Sequence, residues 1–283
     1  MSLVPGKRKF KKIIKTFINK EDKTVITQYS VTPIYNRTGH KRKPKTSSTS
    51  PKKKLLNKQA KIRRLTDIIN SNFMKSDFFI DLTFGDADFI NFANKIKGKL
   101  GSKYPGTIDI LKLINADRED LPPAELAVYD AMYHHIQTEA KNYMNRLKRI
   151  YPDLRYVYTI GNSETKTTMC NPNRFHVHAV LHAAGLTVAE INKKWGYGLV
   201  KSKNLRAGHK ERLAAYMVNQ VKAAPGTRIY TASHNMIHPI IVTEPVNSMY
   251  TPEFYYPHLM KEPIETPVCG CIGWRAVDEK MLI

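Results

Sequence analysis

"RFHVHAVLHA", residues 174–183, sets two histidines on either side of one valine inside a run that is otherwise apolar. The run has strand length and strand composition. In a strand, residues i and i+2 project to the same face, so His176 and His178 share one side while Phe175, Val177 and Ala179 take the other. Two imidazoles on one face can hold a single ion, because neutral imidazole is the commonest metal ligand at physiological pH. A hard divalent ion also wants a carboxylate, and keeps positions open for water or phosphate. Glu164, in the loop just ahead of the strand, is the nearest carboxylate in sequence; Glu190, Asp81 and His182 are weaker candidates. The competing reading is a pair of partly buried structural histidines.

Working outward, "LRYVYTI" (154–160) is a second strand, joined to the histidine strand by the polar loop "GNSETKTTMCNPN", and the two should pair antiparallel. Upstream, "LPPAELAVYDAMYHHIQTEAKNYMNRLKRIYPD" opens on prolines and closes on a basic turn and Pro152, which predicts a long helix over 123–149. "DFFIDLTFGD" (77–86) reads as a buried strand followed by a short helix over 87–99. "KKLLNKQAKIRRLTDIINSNF" spaces Leu55, Ile62, Leu65, Ile68 and Ile69 at helical intervals, with a basic opposite face.

Downstream, Thr187 starts a short helix, "GYGLVKS" reads as a strand, and a helix over 208–223 is stopped by Pro225 and Gly226. On that last helix Leu213, Ala214, Met217, Val218 and Val221 form one apolar stripe. Tyr216 lies at its margin, with His209, Arg212 and Gln220 on the same flank. By itself this is an amphipathic aromatic at a helix edge.

The chain carries 46 Lys plus Arg against 24 Asp plus Glu, a formal charge of +22, which points to a polyanionic partner. Residues 1–65 hold 20 of the cations and only Glu21 and Asp22, a net of +18, so the other 218 residues carry +4. We read 1–65 as a basic, partly flexible arm and linker that tracks phosphates, with "TVITQYSVTPIY" as one short strand and "KRKPKTSSTSPKKK" (41–54) as linker. Residues 66–245 form the main domain, and the Pro- and Tyr-rich 246–283 reads as an irregular tail. No run of eighteen apolar residues occurs and the start lacks a secretory core, so the expectation is a cytoplasmic protein with no membrane partner. Cys170, Cys269 and Cys271 are too few for a disulfide framework or a complete structural zinc site.

Taken in order, "DLTF", "RFHVH" and "LAAYMVNQVK" resemble the three motifs of the HUH endonuclease replication initiators of small phages and rolling-circle plasmids. "INSNF" before "DFFIDLTF", "NRLKR", "WGYG" and "TRIYTAS" extend the likeness over about residues 60–240. The resemblance implies an α+β fold, with a central antiparallel sheet carrying the histidine pair and helices packed across it. It implies nicking and joining of single-stranded DNA through a 5′-phosphotyrosine, as in rolling-circle replication. His176, His178 and a third residue, Glu164 by position, would then hold a divalent metal, Mg²⁺ or Mn²⁺, with Tyr216 as nucleophile. Single-stranded DNA or a stem-loop origin would be the substrate, and a host helicase or polymerase a partner.

Many members of that family place a lysine three or four residues after the tyrosine. Here Asn219 and Gln220 hold those positions, and Lys222 points about 240° away on an ideal helix. Trp195, Tyr197 and Tyr230 are candidates for stacking on bases. The alternatives are a non-catalytic basic protein that binds single-stranded DNA or RNA, an HUH transposase, and a metal enzyme on small molecules, against which the basic arm counts. A conjugative relaxase usually has its tyrosine ahead of the histidines, the reverse of the order here.

Overall fold

In the computed structural model, which describes residues 10–19, 24–33, 50–100, 118–162, 175–206, 210–221, 227–246, 260–265 and 272–281, the chain divides into two compact units. Along the chain the elements are β1 (Phe10–Asn19), β2 (Thr24–Pro33), α1 (Pro51–Asn72), β3 (Phe78–Leu82) and α2 (Asp86–Leu100). Then come α3 (Pro123–Lys148), β4 (Arg155–Asn162), β5 (Phe175–His182), α4 (Val188–Lys193), β6 (Val200–Asn204) and α5 (Lys210–Asn219). Last are β7 (Tyr230–Ala232), β8 (Ile240–Val246), β9 (Met260–Glu265) and β10 (Ile272–Met281). The architecture is α+β.

One unit, Met1–Ala60 with Ile237–Ile283, is a five-stranded antiparallel sheet in the order β8-β1-β2-β10-β9. Its described strands fall within the two stretches read from sequence as a basic, partly flexible arm and an irregular tail. β1 and β2, "FKKIIKTFIN" and "TVITQYSVTP", are rich in β-branched and aromatic residues and form a hairpin with Phe10 opposite Pro33. Among the described residues, two prolines of this C-terminal region fall on the edge strands. Pro245 lies in β8 and Pro263 in β9, the two edge strands, to which proline is largely confined within a sheet because it cannot donate to the ladder. The 41–49 part of the expected linker and all three cysteines lie outside the described residues; from Pro51 onward the chain is helical.

The second unit, Lys61–Met236, carries the histidine strand, and both begins and ends earlier in the chain than the expected 66–245. Its antiparallel sheet has the order β6-β3-β5-β4-β7, with β5 in the centre. Antiparallel partners directly opposite one another point the same way, so the registers assign both faces. One face carries Ile80 and Leu82 of β3, Tyr158 and Ile160 of β4, and Phe175, Val177, Ala179 and Leu181 of β5. α2, α3 and α4 cover it.

α3 is the longest helix in this layer. It starts at Pro123, whose ring presets the helical φ and whose missing N–H would be unpaired anyway. Its stripe from Val128 through Met132, Ile136, Ala140 and Leu147 is wholly buried, each such side chain removing apolar area that stabilises by about 1.5–3 kcal/mol for the larger ones. The opposite sheet face is covered more narrowly. Leu65, Ile69 and Phe73, on and just after α1, meet Ala214, Met217 and Val218 of α5 over Val157 and Val180. Leu55, expected in the α1 stripe, is 57% exposed. Among the described residues no helix is long and apolar enough to cross a membrane.

Candidate functional site

Alternation on β5 puts His176, His178 and Val180 on the α1/α5 face, and the registers complete the row through His178: Thr159 on β4, His178, Asp81 on β3 and Lys201 on β6. His178 is 5% exposed, and its Nδ1 hydrogen-bonds the Asp81 carboxylate. In a neutral ring that donates Nδ1–H to this carboxylate, Nε2 is the nitrogen that carries the lone pair. The neighbouring imidazole of His176 lies nearly parallel, 13° between planes, with ring centroids 6.3 Å apart.

Nε2 of His178 points toward β4, where residue 161 is glycine. A Cβ there would stand 3.0 Å from His178 Nε2 and 2.7 Å from Gln220 Cβ. Glycine at this position is therefore a spatial requirement: it lets Gln220 and the histidine ring close over the strand. Gln220 follows the end of α5, its N–H donating to the Tyr216 carbonyl at 3.2 Å. Of the two residues standing where a lysine was expected, Gln220 packs its Cβ against Gly161 and Asn219 is exposed.

Tyr216 meets the same row from above. Its ring centroid is 5.1 Å from that of His178 at 63°, and it also makes an edge contact with Phe79, whose ring lies nearly parallel to His178. The side chain is 40% exposed, so the phenol stands between core and solvent. Burial raises its pKa, and the negative charge of Asp81 raises it further.

The remaining candidates separate. Arg212 is exposed on α5. His182 lies on the histidine face farther along the strand, where its Nδ1 pairs with Asp77 Oδ1 at 2.7 Å. The other Asp77 oxygen accepts the Met74 N–H, so this pair ties β5 to the turn before β3. Glu190 belongs to α4, whose Ile191 packs into the opposite core, and is not brought to the histidines. Trp195 is 1% exposed in that same opposite core, and Tyr197 donates its hydroxyl to Glu139 at 2.6 Å there, so neither is a stacking platform beside the histidines. Tyr230, opposite Thr159, is on the histidine face. Glu164, Lys222 and His209 lie outside the described residues.

Asp81, a weak ligand candidate in the sequence, and Gly161, Thr159 and Phe79, which carry no signal there, all border the histidine row. "DLTF" did contain Asp81, but only the β3–β5 register reveals that its partner is His178 Nδ1. The Thr159 hydroxyl is buried with no hydrogen-bond partner among the described residues. Among those residues no three His, Cys, Asp or Glu side chains cluster as a metal site; His176 and His178 are two neighbouring imidazoles, and an ion held between them would need further ligands. The donor chemistry fits a divalent ion on that condition. No protein-family model, curated protein or solved structure matches the chain.

Proposed function

We propose that the unit Lys61–Met236 nicks and joins single-stranded DNA through a covalent bond to Tyr216, as a rolling-circle replication initiator of the HUH type. One observation carries this reading. His178 and Tyr216, 38 residues apart in the chain, have their rings in contact on a sheet face that also bears His176. A core built only for packing has no need of two imidazoles and a half-exposed phenol at that spot, one imidazole already held by a carboxylate through the nitrogen away from the space.

In this reading the Tyr216 oxygen attacks the phosphorus of a phosphodiester in line. A phosphorus–oxygen bond to tyrosine forms as the bond to the 3′ oxygen breaks, and the phenol proton is accounted for on the released 3′-hydroxyl. One phosphate ester replaces another, so the strand can later be rejoined without a further energy source. His176 and His178 would hold a divalent ion, Mg²⁺ or Mn²⁺, with Glu164 as the third ligand that the resemblance implies. When bound, the ion supplies positive charge to the phosphate oxygens and lowers the cost of ionising the phenol. Asp81 would keep His178 in the tautomer that leaves Nε2 available, and Gln220, whose Cβ packs at Gly161, would offer an amide in place of the missing lysine.

The basic charge of residues 1–65 supports a nucleic-acid partner. A second reading, single-strand binding without cleavage, has its own support in His178, which is buried and held by Asp81 as a structural histidine would be. Labelled single-stranded DNA from the chain's own replicon, incubated with Mn²⁺, separates the two. The nickase reading expects a denaturation-resistant adduct that chelator and Tyr216→Phe both abolish. Strong binding with no adduct from any strand of the replicon selects the non-catalytic reading. An adduct that survives Tyr216→Phe moves the nucleophile elsewhere.

A further inference from the structure

Beside Tyr216, on the β6 side of the sheet, is a cavity of about 460 Å³ lined by Phe79, Lys203, Asn204, Leu205, Arg206, Lys210 and Leu213. Its size lies within the range of sites that bury a small organic ligand, about 300–1,000 Å³. Three of its seven lining residues are cations and none is an acid. Its apolar lining is Phe79, Leu205 and Leu213. Phe79 is also the ring that touches both His178 and Tyr216, so the cavity and the histidine row share a wall.

The position of the cations is built into the backbone. Lys203 stands opposite Phe79 in the β3–β6 register and Lys201 opposite Asp81, so both lysines lie on the histidine face. Leu205 is buried, and its N–H donates to the Asp77 carbonyl at 2.8 Å, anchoring the chain between Lys203 and Arg206 to the start of β3. An aromatic wall beside two or more cations at fixed spacing suits a base with its phosphate.

We propose that this cavity holds one unpaired nucleotide of the substrate strand, next to the phosphate presented to Tyr216. Lys203, Arg206 and Lys210 contact its phosphates, and the base lies against Phe79 and the two leucines. The assignment rests on the single-strand reading of the site, but not on cleavage. The strand then runs along one line, from the cavity past Tyr216 and His178 toward Gly161 and His176.

The test uses the full chain carrying Tyr216→Phe and an oligothymidylate with one 5-iodouracil, crosslinked by light and mapped to peptides. The expected crosslinks fall at Phe79 or within residues 203–213. Lys203→Ala combined with Arg206→Ala reduces their yield roughly tenfold, as two lost phosphate contacts should. Lys95→Ala with Lys99→Ala, an equal loss of charge on α2, leaves it within roughly twofold. Crosslinks confined to other parts of the chain, or equal losses in the two double variants, overturn the proposal. Free thymidine monophosphate at matched nucleotide concentration leaves most of the crosslink in place if the cavity is a station on a strand. Its complete suppression would assign the cavity to a free nucleotide and sink the strand assignment. Crosslinks in the cavity without an adduct from the unsubstituted chain remove the nickase reading and keep the cavity, whereas an adduct with crosslinks elsewhere does the reverse.

Discussion

At residue 161 the absence of a side chain is what the site requires. Gly161→Ala would force a methyl to within 2.7 Å of Gln220 Cβ and 3.0 Å of His178 Nε2, so the ring or the end of α5 must move. Overpacking of this kind costs about 1–3 kcal/mol. We expect a lower unfolding midpoint in urea and loss of most adduct formation, and unchanged values for both would show that the two elements yield freely. A second residue prediction concerns Tyr216. Asp81 raises its pKa, so Asp81→Asn should lower it, seen as an earlier tyrosinate transition when compared with Tyr216→Phe as the subtraction reference. The same substitution releases the restraint on His178, so nicking should fall even though the phenol ionises more readily.

The elements α1 and α5 share a thin apolar layer, and that layer sets the height of Tyr216 above the sheet. Ile69 is fully buried between them and Val180. Ile69→Ala should destabilise the unit by about 2–5 kcal/mol, measured by urea unfolding. The loss would be felt at Tyr216, because Ala214, Met217 and Val218 of the same helix pack on that layer. α5 was legible in sequence from its stripe, and its margin correctly carried Tyr216 beside Gln220. The helix alone could not say that Gln220 would face a glycine on β4, since that contact joins residues 59 positions apart. The strands of the first unit were less legible. β9 and β10 read as irregular because Pro263 is allowed only by an edge position, and an edge exists only once the sheet has formed.

Over the whole molecule, two charge effects can be measured. Lys52, Lys53, Lys54 and Lys58 are exposed on α1. Replacing all four by Gln should weaken single-strand binding uniformly across sequences and flatten its log–log salt slope by up to roughly 3, at about 0.7 per phosphate contact. Deleting residues 1–54 is a poorer test, because β1 and β2 are interior strands of their sheet and β8 and β10 would lose partners. The second effect is alkaline. Burial pushes Tyr133 up to about 12, and the hydrogen bond to Glu139, with burial, pushes Tyr197 up to about 12; burial raises Tyr143 and Tyr158 as well. Folded values above the ordinary 10.0 mean that the native state resists losing these protons. Their contribution is intact below pH 10 and is lost as pH rises through about 12. Circular dichroism and tyrosinate absorbance should therefore change together in that window, and early ionisation of all tyrosines in a folded chain would contradict it.

Periodicity and punctuation in the sequence by themselves determined the local elements of the second unit: the strand bearing His176 and His178, the face they share, the long helix begun by Pro123 and the stripe that leaves Tyr216 at a margin. Each follows from a period of two or 3.6 residues acting within one short segment. Tertiary structure alone decided which groups meet. The register of β3 on β5 gave His178 its aspartate, the approach of α5 to β4 made residue 161 a place for glycine, and the packing of Trp195 and Tyr197 removed them from the histidine face. Those choices depend on contacts between segments far apart in the chain, whose strength is set by complementary shape and hydrogen bonding that no single segment contains.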